Sequence, residues 1–204
     1  QAGESDVSAT IVGVVDKSRM LNGQKTIKRG DAVIGIASSG LHTNGYSLAR
    51  KVLQEQLKLK LKSRVAELGC TLGEELLKVH VSYHAAVQSL VKTLNRTGRP
   101  PGLRGLAHIT GGGFIDNIPR VLPAKLDCVI RKGSWTVLPV FEMIQRGGKI
   151  DEREMHQVFN MGIGMVAIVA ADQADKALKL IKAARQKAWR IGEMARGSGR
   201  TRLA

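Results

Sequence analysis

The chain has 204 residues, 43% of them hydrophobic, and a net charge of +15 from 32 Lys and Arg against 17 Asp and Glu. That length holds one large domain with a real core, and the apolar share excludes a disordered chain. No apolar run approaches a membrane span. Cys70 and Cys128 are the two cysteines, too few and too far apart for a disulfide framework or a cysteine-rich metal site, and they fit a reducing, cytoplasmic compartment.

The charge calls for an anionic partner, either a phosphate-bearing ligand or an acidic surface. Nucleic acid is the weaker reading. The densest basic pieces, residues 58–64 and 195–204, carry no interleaved aromatic residues. No secretory signal opens the chain. The opening "QAGESDVSAT" reads as the middle of a longer protein whose N-terminal part is absent.

Residues 9–17, "ATIVGVVDK", are β-branched and predict a strand, and "AVIGIASS" (32–39) is apolar enough for a central one. Leu48, Val52 and Leu53 predict a helix over about 44–57. Residues 58–70 read as a loop or frayed helix end. Residues 71–95 carry helical periodicity from Leu76 to Leu94, with Thr71 and Glu74 spaced as a capping box. "RTGRPPG" breaks that pattern as a surface loop.

"LRGLAHIT" predicts a third strand, "GGGFIDNIPRVLP" a glycine loop entering a short helix, and "LDCVIRK" a fourth strand. Two helices follow, "LPVFEMIQRGG" with a glycine stop and "DEREMHQVF" with acids in its first turn. "GIGMVAIVA" is a strand, "DQADKALKLIKAARQ" an amphipathic helix opened by Asp172, and "KAWRIGEMA" and "TRLA" strands joined by a hairpin turn at "GSGR". The alternation predicts an α/β fold, a two-layer sandwich of helices and a mixed β-sheet.

Two stretches carry chemistry. "SSGLHTNG" (38–45) ends a strand in small residues, where ligands of open α/β sheets sit and glycine lets backbone approach closely. Ser38, Ser39, Gly40, Asn44 and Gly45 are candidate ligand contacts, and His42 and Asn44 add directed hydrogen bonds. A plain strand-to-helix turn with capping side chains explains the same residues equally well.

"HITGGGFIDN" (108–117) repeats that grammar through His108, Thr110, Gly111, Gly112 and Gly113. Three consecutive glycines cost folding entropy that a plain turn rarely needs. Together the two loops suit a phosphorylated small molecule without naming a reaction.

"FNMGIGM" (159–165) is not a phosphate-loop pattern and precedes its strand. His80 and His84 lie one helical turn apart but lack a third ligand, so no metal site is expected in this chain. Trp135 and Trp189 read as packing residues.

With these residues quoted, the chain is seen to resemble a known family. "GDAVIGIASSGLHTNGYSLARKVL", "GLAHITGGGFIDNIPRVLP", "GSWTVLPVFEMIQ" and "EMHQVFNMGIGM" look like the C-terminal domain of phosphoribosylformylglycinamidine cyclo-ligases, the AIR synthetase family. The resemblance runs from about residue 30 nearly to the end. It implies residues 30–204 as that domain and residues 1–29 as a remnant of the N-terminal domain and linker.

The resemblance further implies ATP-dependent closure of formylglycinamidine ribonucleotide to 5-aminoimidazole ribonucleotide in purine biosynthesis. His42 and His108 would be the catalytic candidates, and the other loop residues above would bind the phosphorylated substrate. ATP and Mg²⁺ would be the cofactors, with metal carboxylates mainly in the missing domain. The full-length protein would be a cytoplasmic homodimer, and this chain alone inactive. The competing expectations are a non-catalytic module that binds a phosphorylated ligand and another member of the same ATP-binding superfamily. A nucleic-acid-binding protein would rest on charge alone.

Overall fold

The computed structural model describes residue 8, residues 10–96 and residues 100–204. After a short helix α1 (Gly23–Thr26), strand β1 (Ala32–Ala37) leads into α2 (Tyr46–Arg50), which continues as a π-helical stretch (Lys51–Gln56). A small ribbon of β2 (Arg64–Val65) and β3 (Cys70–Thr71) precedes α3 (Leu72–Leu76) and α4 (His84–Leu94). Then come β4 (Leu103–His108), α5 (Gly113–Asn117), β5 (Leu126–Ile130), α6 (Pro139–Gly148) and α7 (Glu152–Val158). The chain finishes with β6 (Ile163–Val169), α8 (Ala174–Ala183), β7 (Ala188–Arg196) and β8 (Thr201–Leu203).

The main sheet has six strands in the order β4-β6-β1-β7-β5-β8, antiparallel throughout except for the parallel pair β5–β8. This is the expected mixed α/β sheet, but helices cover both faces, so it lies between two helical layers where a two-layer sandwich was expected. Successive side chains of a strand face opposite sides, so β1 must be apolar on both. Ala32, Ile34 and Ile36 join Ala86, Leu90 and Leu94 of α4 and Ala177 and Ile181 of α8. Val33 joins the larger cluster with Phe114 of α5, Phe141 of α6, Met155 of α7 and Phe159. Phe114, Phe141 and Phe159 are completely buried, and each contributes about 1.5–3 kcal/mol by leaving water.

Several expectations are corrected. Residue 9 lies outside the described residues, but Thr10 to Asp16 form no strand. β-branched residues make a strand only where a neighbour supplies the ladder; among the described residues none pairs with this segment, and Ile11, Val12, Val14 and Val15 are exposed. Residues 58–70 supply a paired strand where a loop was expected. β2 meets β3 through Arg64–Thr71 and Val65–Cys70, around a 3₁₀ turn closed by Gly69 at φ 69°. The helix expected over 71–95 is two helices. Its Thr71–Glu74 capping box is formed, but residues 78–83 are non-helical and lie against the loop after β1.

The turn at 197–200 is not a hairpin, since β5 lies between β7 and β8. Asp127 of β5 organises that crossing by accepting from the Ser198 and Arg200 amides. The glycine stop of α6 falls one residue late: Gly147 and Gly148 are inside the helix, and Lys149 takes the left-handed turn at φ 50°. The helix opened by Asp172 begins instead as a 3₁₀ turn (Ala171–Gln173) running into α8. Of the loop at "RTGRPPG", residues 97–99 lie outside the described residues.

Candidate active site

β1 and β4 both pair antiparallel with β6, so they run parallel to each other with one strand between them. Their carboxyl ends therefore leave the same edge of the sheet, about 10 Å apart at the usual strand spacing. Residues 38–45 follow β1, residues 109–112 follow β4, and residues 159–162 enter β6 at that same edge. Three loops thus converge there, the third being the "FNMGIGM" segment.

The convergence is a matter of contact. A Cβ on Gly111 would lie 3.1 Å from Asn44 Oδ1, so the first and second loops touch. A Cβ on Gly45 would meet the Phe159 ring at 2.3 Å, and one on Gly113 would meet the His156 carbonyl oxygen at 2.0 Å. Gly45 (φ 82°) and Gly113 (φ 52°) also hold left-handed backbone, which only glycine adopts without strain. Two of the expected glycines therefore serve close packing of the loops against the third segment.

Two buried asparagines hold the loops. Asn160 accepts at Oδ1 from Ser38 Oγ (2.9 Å) and the Gly162 amide (2.8 Å), and donates from Nδ2 to the Gly40 (2.9 Å) and Leu41 (3.1 Å) carbonyls. Asn117 donates to the Gly113 and Gly111 carbonyls (2.8 and 3.1 Å) and accepts from Thr110 Oγ1 (3.0 Å). Ser39 Oγ donates to the Val79 carbonyl. The hydroxyls of Ser38, Ser39 and Thr110 are therefore engaged by the protein itself. The Gly111 and Gly112 amides, by contrast, donate to no protein acceptor among the described residues, and Asn44 donates only to its neighbour Thr43.

His42 is 5% exposed. Its Nε2 accepts from the Ser39 (3.1 Å) and Val81 (3.4 Å) amides, and its buried Nδ1 has no partner. Burial, with the His80 and His108 rings nearby, pushes its pKa down to about 4. His108, at the end of β4, is exposed. Burial of part of the ring and then the neighbouring His80 lower its pKa.

His80 was expected one helical turn from His84, but it lies outside α4 and between the other two imidazoles. Its ring centroid is 3.8 Å from that of His42 and 5.3 Å from that of His108. Tyr83 closes the group from below, donating its hydroxyl to the Ala37 carbonyl (2.9 Å), and burial pushes its pKa up. Gly164 of β6 makes room for both: a Cβ there would meet Tyr83 Oη at 2.1 Å and the His42 ring at 2.7 Å.

Sequence reasoning singles out His80 only as a half of a metal pair with His84, and Asn160 not at all. The signals were an Asn before a Gly-x-Gly entering a strand, and a His in a β-branched run that breaks a helical pattern. Among the described residues no group of three or more His, Cys, Asp or Glu is arranged to hold a metal ion. His156 packs beneath the second loop, with its ring 5.8 Å from Phe114 and its Nδ1 donating to the Glu152 carbonyl. Trp135 is a packing residue, with its indole N–H donating to the Met161 carbonyl.

The α/β fold with this mixed sheet is shared with solved structures. Thiamine-monophosphate kinase from Stenotrophomonas maltophilia K279a superposes with a TM-score of 0.57 at 16% identity, over 93% of this chain and 54% of that one. HypE from E. coli does so at 0.55 and 21%, over 90% and 48%. These likenesses define the fold.

The family follows from sequence. The model described as "AIR synthase related protein, C-terminal domain" matches residues 28–203, and the chain belongs to that family. Phosphoribosylformylglycinamidine cyclo-ligase of Thermoanaerobacter sp. (strain X514) is 47% identical over 197 residues, 97% of this chain and 56% of the relative. Its namesake in Sorangium cellulosum (strain So ce56) is 46% identical over 192 residues, 94% and 53%. The chain spans about half the length of the curated relatives it matches.

Proposed function

We propose that this chain is the C-terminal half of a phosphoribosylformylglycinamidine cyclo-ligase. The observation that carries the reading is the 47% identity over 97% of the chain to relatives of that name. The whole protein would use ATP to phosphorylate the amide oxygen of formylglycinamidine ribonucleotide, turning a poor leaving group into a good one. The amidine nitrogen would then attack that carbon, expel phosphate and close the imidazole ring of 5-aminoimidazole ribonucleotide.

Within this half, the loop edge fits a phosphorylated substrate. The free Gly111 and Gly112 amides are donors that a phosphate or amide oxygen can use. Asn44 orients the ligand from the facing loop. His108 is the exposed imidazole and the candidate for proton movement, while buried His42 supports the shelf on which it acts. Ser38, Ser39, Gly40, Gly45, Thr110 and Gly113 shape the loops.

In this reading the Mg²⁺ ligands and most of the nucleotide contacts would come from the N-terminal half that the longer relatives carry; among the described residues no group of three or more His, Cys, Asp or Glu is arranged to hold a metal ion. No described helix is long and apolar enough to cross a membrane. The proposed whole protein is a cytoplasmic homodimer acting on a small molecule and not on nucleic acid.

The test measures ATP-dependent formation of 5-aminoimidazole ribonucleotide by this chain alone and by the chain joined to the N-terminal half its relatives carry. Turnover only in the joined protein is expected. Ligand binding without turnover in the joined protein would make it a binding module instead.

A further inference from the structure

The hydrogen positions on the three clustered imidazoles follow from their partners. A carbonyl oxygen only accepts, so His80 Nδ1, 2.9 Å from the Val81 carbonyl, carries that ring's hydrogen. A neutral imidazole has one N–H and one unshared pair, so His80 Nε2 is an acceptor. It lies 3.3 Å from His108 Nε2. The hydrogen between them therefore belongs to His108, whose Nδ1 is left with the unshared pair and has no hydrogen-bond partner among the described residues.

His80 is itself fixed in place. Its ring lies against that of His42, with centroids 3.8 Å apart and the planes tilted by 33°, and His42 is pinned by the two amides that donate to its Nε2. Tyr83 meets it edge-on at 6.3 Å. The chain of contacts runs from backbone amide to His42, to His80 and to His108, and only its last member is exposed.

We propose that His80 is a positioning residue: by accepting the hydrogen of His108 Nε2 it holds His108 in the tautomer whose Nδ1 is free to take a proton from bound substrate. His80 touches no substrate. It decides which nitrogen of His108 does, as a partner on one ring nitrogen generally decides the role of the other. The catalytic consequence rests on the reading of His108 given above; the hydrogen bond itself does not.

The experiment has two arms. NMR of the nitrogen-labelled chain at about pH 7.5, where His42 and His108 with their lowered pKa values are neutral, is expected to find His80 in the Nδ1–H form and a through-hydrogen-bond coupling between the two Nε2 atoms. His80→Gln, whose side-chain oxygen also accepts, should keep a slowly exchanging His108 Nε2–H while losing the nitrogen–nitrogen coupling. His80→Leu should lose both, with the fold checked by denaturant melting. Absence of the coupling in the unaltered chain, or a protected His108 N–H that survives His80→Leu, overturns the proposal.

The second arm is turnover in the chain joined to its N-terminal half. His80→Leu should lower kcat about tenfold with KM little changed, and His80→Gln should restore most of it. If the hydrogen bond is found but kcat does not respond, the positioning stands and the assignment of His108 as a proton carrier falls.

Discussion

Replacing Asn160 tests how the site is built. The residue is 4% exposed and makes four hydrogen bonds that join the first loop to the strand entering from the third. Its partners Ser38, Gly40, Leu41 and Gly162 are buried as well, so water cannot replace what is lost. At about 1 kcal/mol per bond, Asn160→Ala should cost about 4 kcal/mol, a large part of the roughly 5–15 kcal/mol that holds a domain together.

Asn160→Asp separates hydrogen bonding from volume. One carboxylate oxygen keeps the two donors, but the other faces the carbonyl oxygens of Gly40 and Leu41. The charged form is disfavoured there, so the folded pKa of the new carboxyl rises above its unfolded value of about 3.9. Its penalty is then full well above the folded pKa and shrinks as pH falls through it. Urea melts of the unaltered chain and both variants at about pH 7.5 and pH 5 read these effects, the difference between Asp and Asn narrowing at the lower pH. An alanine variant that melts within about 1 kcal/mol of the unaltered chain would refute the reasoning.

Three further outcomes are expected. His42 is held neutral in the fold with a pKa of about 4, so its contribution is present above its unfolded pKa of about 6.5 and is lost as pH falls towards 4. That amounts to about 2 kcal/mol by pH 5, read as the difference in acid sensitivity between the unaltered chain and His42→Gln. Gly113→Ala should destabilise the fold by several times the roughly 1 kcal/mol cost of Gly30→Ala. Both positions have positive φ, but nothing lies within 4 Å of a Cβ at Gly30, whereas one at Gly113 strikes the His156 carbonyl; thermal melts compare them. Arg104→Ala leaves the buried Asp31 without its guanidinium partner and should cost about 3–5 kcal/mol in denaturant melts.

Much of the sheet was legible because its strands are continuous apolar runs bounded by glycine, and both loops were legible as small residues at strand ends. Two kinds of feature were not. The first depends on tertiary neighbours: residues 10–16 have the composition of a strand but no partner among the described residues, and residues 78–83 interrupt a helical pattern because they pack on the loop after β1. The second depends on direction. Ser38 and Thr110 read as ligand groups from their types alone, yet their hydroxyls donate to Asn160 and Asn117 of the protein itself. Asn160 looked like an ordinary residue before a glycine pair, and His80 became visible as His108's neighbour only when residues 28 apart in sequence met at the edge of the sheet.

The account rests on the loops after β1 and β4 serving one ligand. A calorimetric double-mutant cycle tests this most directly, titrating formylglycinamidine ribonucleotide into the chain joined to its N-terminal half. The variants are Asn44→Ala, His108→Ala and the pair, one from each loop. Each single change is expected to weaken binding about tenfold, and the pair by far less than the product, because groups that act on one ligand are energetically coupled. Fully multiplicative losses, or a single change that leaves Kd untouched, would contradict a shared site.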